Sequence, residues 1–346
     1  MRKILSLLAL LMLLCPAAQA LPLPYPEDTI LSVMQVTDAQ RALAEYLYTP
    51  IFNHEATISL PENTRYDDVA PAMHLLMQDY PELFHLGQGF TVSYYRSAPE
   101  TAVSVMPQYR MSPEEAAATR AELYVTAYLL ADANPDPLAL HDAMCAMVTY
   151  GGDTDSRHTA VGALLEGRAT CEGYAQALSL LYRMAGIPCG TVLGTAQSIP
   201  DQSEGHAWNV ARLNGYTLID PTWNDQSDRA LNTHWYYGLS TAQMGVDHTP
   251  GENQDVPLCG EQDNYHLTQG LLISTLDELD AAMRRLCAGE TVNLRFADDA
   301  LYHPLTEDFF GFADAFYERN PDAEHFTKYS MIHSDEQRCV IIQVKE

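Results

Sequence analysis

The sequence has 346 residues, 46 Asp and Glu against 19 Lys and Arg, a formal net charge of −27 and 47% hydrophobic residues. Such acidity excludes a nucleic-acid or anionic-membrane binding surface, because phosphate contacts need basic side chains. The apolar fraction is ordinary for a globular protein, and the length suits two modest domains or one domain with large extensions.

The chain opens with Arg2 and Lys3, then an apolar run from Ile4 to Leu14. That run is too short to span a bilayer, and Ala18-Gln19-Ala20 has the small-x-small form of a cleavage site. Residues 1–20 are therefore expected to be a signal peptide cleaved after Ala20. The protein would be secreted or extracytoplasmic, with no stable membrane insertion afterwards. A lipoprotein reading would use Cys15, but Leu14 stands where a small residue is expected. The leader holds two of the 19 bases and no acid, so the mature chain carries 17 against 46, or −29. Lysine occurs only at positions 3, 328 and 345, which makes the chain itself a poor amine donor.

Thr37 to Leu47 and Tyr66 to Tyr80 read as helices, the second ending before Pro81. Phe90–Arg96 and Val103–Tyr109 alternate as strands do. Ser112-Pro113-Glu114-Glu115 is a helix start with Ser as N-cap, Pro at N1 and Glu at N3, and the helix should run to Ala131. Asn134-Pro135-Asp136-Pro137 breaks it, and Leu138–Val148 is another helix. Thr170 is a plausible N-cap for the next one, with apolar residues recurring at 174, 177, 178, 181 and 184/185 and a stop at Gly186-Ile187-Pro188. Cys189–Leu193 reads as a short buried strand. Ala207–Arg212 and Tyr216–Ile219 flank Leu213-Asn214-Gly215, a hairpin signal. Leu271–Ser274, Leu276–Ala288, Thr291–Phe296, Glu307–Arg319 and Cys339–Val344 read as strand, amphipathic helix, strand, helix and strand. They predict a small C-terminal α/β unit with an antiparallel sheet. The expected organisation is a signal peptide (1–20), an N-terminal α/β region (21–111), a core (112–254) and the C-terminal unit (255–346).

Six cysteines follow the leader, at 145, 171, 189, 259, 287 and 339. They are too sparse for a disulfide-built scaffold, and no CxxC suggests a zinc knuckle. If Cys171 is a free thiol, at least one of the other five is unpaired too. His141 and Cys145 lie four apart on a helix, but without further ligands no metal site is expected. Asp153 and Asp155 after Gly151-Gly152 hint at a calcium loop, for which a solvated turn is the simpler reading.

The residues that speak about chemistry are Cys171, His206 and Asp220. A thiol in the first turn of a helix feels the positive end of the dipole, which favours thiolate. His206 could take its proton or pair with it, and Asp220 could hold the other ring nitrogen. The Cys171 backbone N–H, unpaired at a helix start, could donate to an oxyanion. The alternative is that both residues merely pack. The loop decides whether His206 and Asp220 meet. A two-residue Asn-Gly turn would put them on opposite faces. A three-residue loop with Gly215 left-handed, as a bulge, makes them diagonal neighbours on one face; the three-residue loop is the expectation. Trp208, Trp223, Trp235, Tyr236 and Tyr237 cluster in sequence around these residues and are expected mostly to pack, with one or two lining a groove.

Three stretches carry a family resemblance. They are His158-Thr159-Ala160 with Leu164 through Ala175, Gly186-Ile187-Pro188-Cys189, and Gly205-His206-Ala207-Trp208-Asn209 followed by Leu218 through Asp225. The chain from about 138 to 250 resembles the transglutaminase-like superfamily, and the order Cys, His, Asp is that of papain-like enzymes. Asp79-Tyr80-Pro81-Glu82-Leu83-Phe84, Asp247-His248 and Pro257-Leu258-Cys259 are similar to the flanks of secreted bacterial members. The resemblance implies an α+β fold in which a nucleophile helix packs on an antiparallel sheet, with N-terminal and C-terminal α/β extensions. It implies Cys171 as nucleophile, His206 as base and Asp220 as orienting acid. The activity would be cysteine acyl transfer or amide hydrolysis through a thioester, on protein or envelope-peptide amides, with no metal or organic cofactor. The rival is an inactive binding or scaffold protein of the envelope that keeps the fold. Many such enzymes use a second oxyanion donor upstream of the Cys, often Gln. None lies between 109 and 170, which leaves Tyr150 or His158 for that task.

Overall fold

The computed structural model describes residues 23–152, 154–199, 202–226 and 231–345. The expected signal peptide, residues 1–20, and its expected cleavage site lie outside the described residues, as does Asp153. The chain divides into two compact units: one holds residues up to 213, 220–232 and 249–257, the other 214–219, 233–248 and 258–346.

The first unit begins with helices α1 (Asp38–Phe52) and α2 (Tyr66–Asp79) against the hairpin β1 (Leu86–Tyr95) and β2 (Ala98–Tyr109). Helix α1 starts on a capping box between Thr37 and Gln40 and runs past the expected Leu47, carrying Pro50 in its last turn. Leu47, Ile51, Val69, Met73, Leu76 and Val105 form a dry core there. Helix α3 (Pro113–Ala133) begins as expected, Ser112 and Glu115 capping each other reciprocally. Helix α4 (Pro137–Cys145) and the short α5 (Ala160–Leu164) lead to α6 (Cys171–Met184).

Helix α6 is the centre of this unit: every residue from Gly173 to Arg183 is buried. A Cβ on Gly173 would sit 2.3 Å from the Arg157 carbonyl oxygen, so only glycine lets the helix lie this close to that segment. Gly186 is left-handed (φ 77°), and Ile187 N–H donates to Tyr182 O at 2.8 Å, the closing bond of a Schellman stop. The expected N-cap differs in one respect. Thr170 occupies the capping position, but its hydroxyl does not cap the helix; it bonds the Arg157 carbonyl (3.2 Å) and His158 Nδ1 (3.1 Å).

Two antiparallel strands, β3 (Cys189–Ile199) and β4 (Gln202–Arg212), are both longer than expected. Asn209 on β4 donates from Nδ2 to Ala175 O, Ser179 Oγ and Gly190 O at 2.9–3.2 Å, tying helix α6 to both strands. Arg183 does the same at the far end of α6, with Nε on Cys189 O at 2.8 Å. The arrangement is the expected α+β one: a helix carrying Cys171 on antiparallel strands.

The second unit contains β5 (Tyr216–Ile219), paired antiparallel with β6 (Tyr237–Leu239). Its larger part is a four-stranded sheet in the order β7 (Leu272–Ile273), β8 (Val292–Phe296), β10 (Cys339–Val344), β9 (Tyr329–Ser334). Helix α7 (Leu276–Cys287) connects β7 to β8, which therefore pair parallel, not antiparallel as expected. A crossover through a helix returns the chain in the same direction. The helix expected at Glu307–Arg319 is α9 (Phe309–Arg319), capped by Asp308; a further helix that was not expected, α8 (Asp299–Glu307), precedes it.

Among the described residues no helix is long and apolar enough to cross a membrane. All six described cysteines are free thiols.

Candidate active site

Cys171, His206 and Asp220 lie in the first unit and meet. Cys171 is the first residue of α6 and is half-buried. His206 sits on β4, its Nε2 2.7 Å from Asp220 Oδ2. The Cys171 sulfur acts electrostatically on the same ring.

Asp220 is fully buried, and its position has a cause the sequence reading passed over. It is the N-cap of a short helical turn, Pro221–Asn224. Oδ1 accepts the N–H groups of Thr222 (2.8 Å) and Trp223 (3.2 Å), and Oδ2 faces His206. Asp followed by Pro at the first helical position was the available signal. The carboxylate is thus locked before it meets the imidazole.

The connection between β4 and β5 is three residues, Leu213–Gly215, as expected from the need to bring His206 and Asp220 together. The bulge geometry is not the expected one, since Gly215 is not among the left-handed residues. The facing of the two side chains therefore does not come from a left-handed glycine. It follows from Asp220 leaving the strand to cap a helical turn.

Electrostatics in the site oppose each other. Burial would lower the His206 pKa, but the Asp220 carboxylate and the Cys171 sulfur outweigh it and push it up to about 10. The ring is thus a cation at neutral pH, held between a carboxylate and a thiol. Its face is covered by indoles: the Trp223 ring lies 5.3 Å and the Trp208 ring 6.1 Å away. These two of the five clustered aromatics frame the imidazole. Trp235 and Tyr236 are buried in the second unit, with hydrogen bonds to Asn293 and Asp247.

Tyr150 belongs to the short parallel ladder that pairs Thr149–Tyr150 with Arg168–Ala169, two residues before Cys171. Burial, and then the negative charges of Cys171, Glu204 and Asp220, raise its phenol pKa, so its hydroxyl keeps its proton. His158, the other donor considered, has its Nδ1 on Thr170 Oγ1 (3.1 Å) and Glu172 Oε2 (3.4 Å). His141 and Cys145 are 3.7 Å apart and buried. The His141 nitrogens are met by Asp142 Oδ1 (2.9 Å) and Asn224 Nδ2 (3.2 Å), a structural hydrogen-bond network. Asp155 pairs with Arg110 at 3.7 Å. Tyr174 OH to Asp225 Oδ2, at 2.5 Å, is a further polar contact of α6 that the sequence did not reveal.

The periplasmic domain of TgpA from Pseudomonas aeruginosa, solved with ethylmercury bound, is 20% identical over 39% of this chain and 60% of its own, with a TM-score of 0.25. A TGase structure is 14% identical over 48% of each chain, with a TM-score of 0.27. The chain thus spans less than two thirds of either structure. No curated protein matches it. Residues 124–221, the segment that carries Cys171, His206 and Asp220, match the family model of the transglutaminase-like superfamily.

Proposed function

We propose that this chain is an exported cysteine acyltransferase or amide hydrolase, acting on protein or envelope-peptide amides through a thioester on Cys171. The observation that carries this reading is the 2.7 Å contact of His206 Nε2 with a capped, buried Asp220, on a ring whose charge the Cys171 sulfur at a helix start also favours. The thiolate of Cys171 adds to an amide carbonyl. The imidazolium of His206 gives its proton to the leaving nitrogen, the C–N bond breaks, and a thioester remains. An amine or a water then attacks the thioester, giving its proton back to His206, and the Cys171 thiolate is released. The oxyanion meets the Cys171 backbone N–H, which has no acceptor within its helix, and the Tyr150 hydroxyl.

Iodoacetamide at near-neutral pH is expected to alkylate Cys171 first among the described thiols. Burial pushes Cys189, Cys259 and Cys339 up to about 11 and raises Cys145 and Cys287 as well. Peptide mass spectrometry reads the order of modification, and His206→Ala should slow Cys171 by about tenfold or more. An unreactive Cys171, or a rate indifferent to His206, favours the inactive scaffold instead. A glutamine-containing protein with a labelled primary amine separates the two activities. Label incorporation marks transfer, and ammonia or peptide release without label marks hydrolysis.

Tyr150→Phe is expected to lower kcat by about a hundredfold with little change in KM, the effect of losing one oxyanion donor. A drop below about tenfold would leave the backbone N–H as the sole donor of the two.

A further inference from the structure

A cavity of about 340 Å³ in the first unit borders α6 on its first turn and a half. Glu172, the residue after Cys171, and Gln176, one turn on, line it; so does Leu193 on β3. Leu193 pairs with Ala207 and Gly194 with His206, so the cavity borders α6 directly and lies against β3, the strand paired with the one that carries His206. Its volume is at the lower end of small-ligand sites. At roughly 3.3–3.6 Å per extended residue, a peptide with its carbonyl at Cys171 places a side chain one or two residues away in this space.

The lining has two characters. Met34, Met77 and Leu193 supply an apolar wall of two thioethers and an isobutyl group. Unbranched methylene chains fit such adaptable surfaces. The carboxyl group of the lining is Glu172, with His74 the other titratable side chain there. Burial raises the Glu172 pKa, His158 (Nδ1–Oε2 3.4 Å) and the charge of Arg110 lower it, and its Oε1 has no hydrogen-bond partner among the described residues. The neighbouring amides are turned inward: Gln78 Nε2 donates to Thr191 O and Gln254 Oε1 (both 2.8 Å), and Gln176 Nε2 to Met77 O (2.9 Å). A carboxylate at one end of a methionine-lined slot matches a long aliphatic stem with a cationic head, and the chain's charge of −27 favours that head too.

We propose that this cavity is a side-chain subsite for a lysine-like substrate residue near the reacting amide, with Glu172 as the residue that reads its charge. The proposal rests on acyl transfer at Cys171. Peptides Ala-Xaa-Gln-Ala-Ala with Xaa as Lys, norleucine or Glu test it in two ways. The first is kcat/KM by ammonia release from the whole protein. The second is fluorescence anisotropy of labelled peptides on Cys171→Ala, which binds without turnover. The Lys peptide is expected to be preferred over norleucine by about tenfold and over Glu by more, through KM. Glu172→Gln should bring Lys and norleucine together, and Glu172→Asp should restore part of the difference. A merely structural Glu172 would lower all three peptides alike, and that result overturns the proposal. Equal binding of Lys and norleucine to Cys171→Ala overturns it too. Lys-selective binding with no turnover by the whole protein would instead sustain the subsite and remove the catalytic reading.

Discussion

Cys171→Ala is expected to lower turnover by about 10⁵-fold or more, with melting temperature within a few degrees of the parent. Loss of the nucleophile in a cysteine or serine acyl-transfer site removes the covalent route altogether, and what remains is binding and oxyanion stabilisation. The fold should tolerate the change, because Cys171 is half-buried at the end of α6 and its helix is fixed elsewhere, by Asn209 and Arg183. The measurement is ammonia release or amine incorporation on a glutamine-containing protein, alongside thermal unfolding. Turnover within tenfold of the parent would show that Cys171 carries no covalent step. Equal loss of folding would mean that the thiol is structural. The other described thiols cannot substitute, since each is raised by burial and outside this helix start.

Local signals in the sequence were enough to place helix α6. Thr170 before the first turn, apolar residues at 174, 177, 178 and 181, and Gly186 after the last turn agree with one another, and the helix runs Cys171–Met184. The capping box at Ser112 was legible for the same reason: both partners lie within three residues. What sets the site is less local. Asp220 looked like the end of a strand because strand period ran up to Ile219, although Asp-Pro also begins a helical turn; two compatible local readings competed, and the chain uses the second. Helix α8 was not expected from the sequence, and it carries Pro304 inside its span. The parallel pairing of β7 with β8 depends on where the crossover helix returns the chain, which no window of residues contains. The same holds for Gln78 and Gln254, bonded at 2.8 Å across 176 positions.

Asp220→Asn is expected to lower kcat by about 10³–10⁴-fold, and the loss comes from the proton on His206. The asparagine oxygen can still accept the N–H groups of Thr222 and Trp223, so the helical turn stays capped. Its NH₂ then faces Nε2 where Oδ2 stood at 2.7 Å. An amide donor there makes Nε2 an acceptor and moves the ring proton to Nδ1, the ring nitrogen left to serve Cys171 in the proposed reaction. That tautomer cannot take the thiol proton, and the imidazolium loses the carboxylate that sustains it. The same substitution has a signature in stability against pH. His206 is raised from 6.5 to about 10 in the folded chain. Its contribution is therefore complete below pH 6.5 and is lost as pH rises toward 10. With the carboxylate gone, burial is left as the dominant influence on the ring, and burial lowers its pKa. The decline between pH 6.5 and 10 should disappear in the variant. Urea midpoints at pH 6, 8 and 10, for the parent and for Asp220→Asn, measure the difference directly. A variant that keeps the parent's slope would show that something other than Asp220 holds the proton on His206, and a variant that keeps its kcat would remove Asp220 from the triad.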